Sequence, residues 1–193
     1  MRMFVTRLFG PLAVVAIAIG SISAAHAAST QYTAILNGAN ESPPVASAGS
    51  GTATVDIDPV AHTLHLVVAF NNLTGNTTAS HIHAITAVAF AGNAGVATTT
   101  PTFAGFPLGV KSGFYEITLN TTLTSSWNAS FITANGGTTA TAEAALFQAI
   151  ADGKAYLNIH STFAGGGEIR GFWVPASTPT TQTTWGRIKS IYR

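Results

Sequence analysis

The sequence predicts a mainly β domain, an antiparallel β-sandwich or Greek-key barrel with one short helix, on three observations. Apolar and polar residues alternate with period two in several segments, Gly, Pro, Asn and Asp punctuate those segments, and one stretch, Thr141 to Ala151, lacks both Gly and Pro. Gln31 to Asn37 is the first expected strand. In the next, Thr52, Thr54, Asp56 and Asp58 alternate with Ala53, Val55 and Ile57, the pattern of a strand with one buried and one wet face. Asp58-Pro59 turns the chain, and Leu64, Leu66, Val68 and Phe70 alternate with Thr63, His65, Val67 and Ala69, completing a hairpin. After the break at Asn71 to Gly75 comes a strand over Thr78 to Ile85, then a Gly/Thr/Ala/Pro-rich stretch from Ala91 to Val110, then a strand over Gly113 to Leu119. A second short helical piece is expected within Asn120 to Asn135. The main helix, started by Thr139 or Thr141, is stopped by Gly153. Strands over Lys154 to His160 and Glu168 to Val174, joined through Ser161 to Gly167, close the domain.

Three parts follow along the chain: a leader over residues 1–27, a β domain over 28–175 and a polar, basic tail over 176–193. The leader has a basic start in Arg2 and Arg7, an apolar core from Leu12 to Ile19 and an Ala25-His26-Ala27 cleavage site. Export to the periplasm or the extracellular space is therefore expected. No later run approaches the roughly 20 apolar residues of a membrane span, so no transmembrane segment is expected once the leader is removed. Without Arg2 and Arg7, six Lys/Arg stand against seven Asp/Glu, a net charge of −1 with histidine neutral. Such a sparse balance lacks the clustered basic face of a nucleic-acid binder. The chain has no cysteine, which excludes disulfides and thiolate chemistry.

The candidate chemistry lies in two segments. In Ser80-His81-Ile82-His83 the two imidazoles share one face of a strand, and in Asn158-Ile159-His160 the amide and the imidazole share a face of another. Neutral imidazoles ligate copper, zinc or nickel, and His81, His83 and His160 from two strands leave a coordination position open. The alternative is a polar hydrogen-bond cluster of the same residues with Asn158 that pins strand register. Glu168 and Arg170, two apart on one strand, either pair across the sheet or orient the histidines from an outer layer. Glu41, before Pro43-Pro44, is a further oxygen ligand or the cap of a rigid turn. No serine-nucleophile motif, phosphate loop or helical His-Glu-x-x-His is present, which speaks against familiar hydrolase chemistry.

Five ordered motifs carry a resemblance: Leu36-Asn37-Gly38-Ala39-Asn40-Glu41-Ser42-Pro43-Pro44-Val45, Gly49-Ser50-Gly51-Thr52-Ala53, the His81-Ile82-His83 strand, Tyr156-Leu157-Asn158-Ile159-His160-Ser161, and Gly167-Glu168-Ile169-Arg170-Gly171. Together they resemble the CHRD domain, a module named from chordin and also found in bacterial exported proteins. The resemblance spans Gln31 to Val174 and implies an extracellular, β-rich binding or matrix-type module, with an extracellular protein or a matrix or envelope component as partner. The chain departs from the family's usual pattern after the His-x-His strand, where no glycine occurs before Gly92. The same-face His-x-His is also similar to the copper-ligand strand of copper/zinc superoxide dismutase, which implies the alternative of a copper-dependent redox enzyme. His62 and His65, on the hairpin, are expected to face solvent and to stand apart from the cluster.

The cleavage position bears on copper chemistry. Cutting after Ser23-Ala24-Ala25 would leave His26 first, its amino group and ring together resembling a histidine brace. Cleavage after Ala27 is expected, so intact-mass measurement of the exported protein should give a chain starting at Ala28; a chain starting at His26 would reverse the order of the two readings.

Overall fold

The computed structural model describes residues 29–176. The predicted leader and the tail from residue 177 onward lie outside the described residues. The chain forms eight strands, β1 (Thr30–Asn37), β2 (Ser50–Asp58), β3 (Thr63–Asn71), β4 (Thr77–Ala84), β5 (Gly113–Asn120), β6 (Ala155–Ser161), β7 (Ile169–Phe172) and β8 (Val174–Pro175), with α1 (Ala129–Ala134) and α2 (Thr139–Ala151) together between β5 and β6. Every strand pair is antiparallel, in the order β4-β6-β7-β1-β2-β3-β5 with β8 beside β1. The mainly β class with a short helix holds, and the strands form one continuous sheet curled into a half-barrel.

One face of the sheet is the core. Leu36, Val55, Leu64, Leu66, Val68, Ile82, Leu157, Ile159 and Ile169 are fully buried there, each from the apolar phase of its strand. Burying a side chain of this kind contributes about 1.5–3 kcal/mol, which is how the alternation sets register. Helix α2 packs on this core through Leu146, Phe147 and Ile150, and Phe131 of α1 stacks on Trp127. Its start is a capping box one residue ahead of the expected one: Thr138 Oγ1 accepts from the Thr141 amide at 3.1 Å and Thr141 Oγ1 accepts from the Thr138 amide at 3.3 Å. Its end is the expected Gly153, at φ +66°, where the Lys154 amide reaches the Ala149 carbonyl at 2.7 Å and the Gly153 amide reaches that of Ile150 at 3.2 Å. His62 joins the hairpin to this helix, its Nδ1 3.0 Å from Glu143 Oε1.

Two features of the fold prepare the site. The first is the segment between β4 and β5, which runs back along the outer edge of β4: the Ala97 amide donates to the Ile82 carbonyl at 2.9 Å, Ala84 to Gly95 at 3.1 Å and Phe103 to Ser80 at 3.2 Å. It thereby seals an edge that would otherwise present unpaired amides. The second is the seam between β7 and β1, a single register pair, Asn37 opposite Arg170. Close approach here depends on Gly171, because a Cβ on that residue would lie 2.5 Å from the Ile35 carbonyl oxygen. Gly171→Ala should therefore lower stability by about 1–3 kcal/mol, as overpacking does, seen as a reduced urea midpoint at unchanged slope. Gly165→Ala, where a Cβ meets nothing within 4 Å, should leave the midpoint nearly unchanged.

Candidate metal centre

Register builds the site. His81 lies opposite Asn158 and Asn158 opposite Arg170, while His83 lies opposite Tyr156 and Tyr156 opposite Phe172. His160, opposite Ala79, shares the phase of Tyr156 and Asn158. Cross-strand partners point to the same side, so these residues occupy the face opposite the core residues Ile82, Leu157 and Ile159. The face is polar in sequence yet buried in the fold, because the β4–β5 segment and the turn before Gly167 cover it; His81 and His83 are buried and His160 is half-buried.

The three rings converge as the spacing predicts. One ring nitrogen from each of His81, His83 and His160 lies within 4.8 Å of the others. The remaining nitrogen of each ring faces a backbone carbonyl: His81 Nε2 is 2.5 Å from Pro101 O, His83 Nδ1 is 3.0 Å from Ala94 O, and His160 Nδ1 is 3.0 Å from Gly165 O. A carbonyl only accepts, so these nitrogens carry the protons, and in the neutral rings His81 Nδ1, His83 Nε2 and His160 Nε2 are bare lone pairs. Among the described residues His83 Nε2 is buried without a hydrogen-bond partner. His81 Nδ1 and His160 Nε2 stand 3.3 Å apart, acceptor against acceptor.

Electrostatics keep the rings neutral. Burial pulls His83 down to about 4, the Ala94 carbonyl resists, and the neighbouring His160, His81 and Arg170 push further down. Burial likewise lowers His81, against the pull of Pro101 and with a further push from His160, and it lowers His160 against the pull of Gly165.

Behind His83 stands a column of stacked groups. Tyr156 lies parallel to the His83 ring at 5.0 Å, and the Arg170 guanidinium sits 4.7 Å from the Tyr156 ring centroid. Arg170 is buried, donating from Nε to Asn40 O at 2.5 Å and from Nη1 to Gly92 O at 3.0 Å and Asn93 Oδ1 at 2.7 Å. Its ion-pair partner is Glu41, at 3.8 Å. Burial raises Glu41 to about 7 against the opposing effects of Arg170 and Asn158. Asn158 packs beneath Gly167, where a Cβ would lie 2.4 Å from its Nδ2, so that turn tolerates only glycine.

The expected outer residues thus separate. Glu41, Asn158 and Arg170 form one network beside the histidines, with Glu41 as the counter-ion of Arg170 and outside the converging nitrogens. Glu168 departs from the expected cross-strand ion pair: among the described residues its partners are hydroxyls and amides. Its fully buried carboxylate accepts from Ser47 Oγ and the Thr74 amide, both at 2.5 Å, from the Gly75 amide at 3.1 Å and from the Ser161 hydroxyl. These bonds overcome the effect of burial and hold it below the usual carboxylate range. It pins three loops and stands apart from the histidines. His62 and His65 pair with Glu143 and Glu116, outside the cluster as expected. Tyr156 is the residue that sequence reasoning passed over, although its phase with Asn158 and His160 places it on the same face.

Among the described residues no helix is long and apolar enough to cross a membrane. No curated protein and no solved structure matches the chain. The profile of the CHRD domain matches residues 32–173, a span that holds both histidine segments, the Glu41 turn and the Glu168 to Gly171 strand entry. The chain is a member of the CHRD domain family.

Proposed function

We propose that this domain is an exported binding module whose ligand is one transition-metal ion, copper or zinc, held by His81 Nδ1, His83 Nε2 and His160 Nε2. The observation that carries the reading is the set of three lone pairs aimed at one another. Bare acceptors repel, and a buried acceptor without a donor costs about 1–3 kcal/mol, whereas an ion among them converts each into a ligand. The 3.3 Å between His81 Nδ1 and His160 Nε2 suits this. Metal–nitrogen bonds of about 2.0–2.1 Å at tetrahedral angles set ligand nitrogens roughly 3.3–3.4 Å apart. Carbonyls that fix each tautomer are the usual outer support of a ligating histidine. A structural polar cluster would instead pair the nitrogens donor to acceptor.

Binding is favoured over turnover because the protons on the three rings go to carbonyls, which supply no general acid or base. One observation supports the copper-dependent redox alternative: His160 is half-buried, which gives a small molecule an approach to the ion. Copper-loaded protein that dismutes superoxide well above free copper would favour that reading; the absence of turnover with tight binding favours the module. An extracellular protein or an envelope or matrix component remains the proposed partner, on the family and the leader.

Titration of the purified mature protein with copper and with zinc should give one equivalent bound. His83→Ala should weaken binding by more than roughly a hundredfold, beyond the loss of an outer support. Unchanged affinity in that variant would end the metal reading. The pH dependence has a definite sign. Because the folded rings titrate below the ordinary 6.5, affinity should hold between pH 8 and pH 6.5 and be lost on approach to the His83 value of about 4. The same binding should raise thermal stability, by about 2.7 kcal/mol when free metal is a hundred times Kd.

A further inference from the structure

The three ligating nitrogens are neutral, and so are the groups that hold their rings: the carbonyls of Pro101, Ala94 and Gly165. Among the described residues no carboxylate joins the converging set. An ion bound there keeps its full charge in partly buried surroundings. The penalty for an uncompensated charge rises with its square, so a divalent ion is disfavoured relative to a monovalent one. The full charge in the adjoining ring stack is a cation, because Arg170 lies over Tyr156 and Tyr156 lies parallel to His83. Arg170 is held there by the Asn40 and Gly92 carbonyls and by Asn93, so it cannot swing away.

We infer that, if the metal reading holds, the site takes cuprous copper in preference to cupric copper or zinc, and that the Arg170–Glu41 pair sets the margin. Three imidazoles complete the coordination that a cuprous ion accepts, while zinc adds a fourth ligand, which at this site water would supply. Arg170 acts from two ring layers away, about 10 Å, where one charge at an effective dielectric near 20 changes the preference between ions differing by one charge roughly tenfold. Glu41, 3.8 Å from Arg170 Nε, opposes it. Arg170 and Glu41 are positioning residues here, and they act on the ion through its charge.

The test compares affinities of the mature protein for cuprous copper, under anaerobic ascorbate against a chromogenic cuprous chelator, with those for cupric copper and zinc against chelators of known affinity. It is run at pH 8, above the Glu41 value of about 7, so that the carboxylate is ionised in the reference protein. Wild type should favour the cuprous ion over both divalent ions. Glu41→Gln keeps the side-chain shape, removes the anion and should raise the cuprous-to-cupric affinity ratio roughly tenfold. Arg170→Met should lower it by a similar factor; should that variant not fold, Glu41→Gln decides alone. A merely structural role would change affinity for every ion together and leave the ratio fixed. Zinc bound as tightly as cuprous copper, or a ratio unmoved or lowered by Glu41→Gln, overturns the inference while leaving the metal site standing. Failure of all three ions to bind wild type overturns the metal reading itself.

Discussion

The contacts of three backbone carbonyls with three imidazoles organise the polar face of this molecule, because each carbonyl fixes where a ring proton sits and so where a lone pair points. Pro101 and Ala94 lie on the segment that returns along β4, and Gly165 lies on the turn between β6 and β7. Neither could be placed without the strands beneath. The β4–β6–β7 register aligns His81 with Asn158 and Arg170 and His83 with Tyr156, and the turn closes down on Asn158 because residue 167 has no side chain. A shift of one residue in β4 would send both histidines into the apolar core.

Charge is placed with the same economy. Two acidic groups are buried near the strand entry at Glu168, and they are stabilised by opposite means. Glu168 is surrounded by hydroxyls and amides and is held below the usual carboxylate range, whereas Glu41 has one guanidinium and the Asn158 amide and is pushed toward neutrality. The difference follows from donor count: several charge-assisted hydrogen bonds offset desolvation, and one ion pair at 3.8 Å with one amide does not. Glu168 is consequently a fixed fastener of loops, while the Glu41–Arg170 pair is the adjustable charge beside the histidines.

Much of this was legible in the sequence. Period-two alternation located the strands within a residue or two, Gly153 ended the helix as expected, and the His-x-His and Asn-x-His spacings put His81 with His83 on one strand face and His160 with Asn158 on another, which the β4–β6 pairing then joins. Other parts were not legible, for physical reasons. The spacing of Glu168 and Arg170 suggested a shared strand face, but β7 begins at Ile169, so Glu168 belongs to the turn and answers to Ser47, Thr74 and Gly75, far away in sequence. Tyr156 reads as one more core aromatic until the pairing of β6 with β4 shows what it stacks upon. The Gly/Thr/Ala/Pro-rich stretch gives no periodic signal, since its contribution is made by carbonyls that every residue possesses.

That stretch has a double duty whose consequence reaches beyond the histidine cluster. The amides of Ala97 and Phe103 close the outer edge of β4, and the carbonyls of Ala94 and Pro101 on the same segment orient the rings. Lifting it would free the tautomers and bare a strand edge in one event. Loss of the site and gain of stickiness are therefore the same fluctuation, and whatever holds the segment down also guards the protein against self-association.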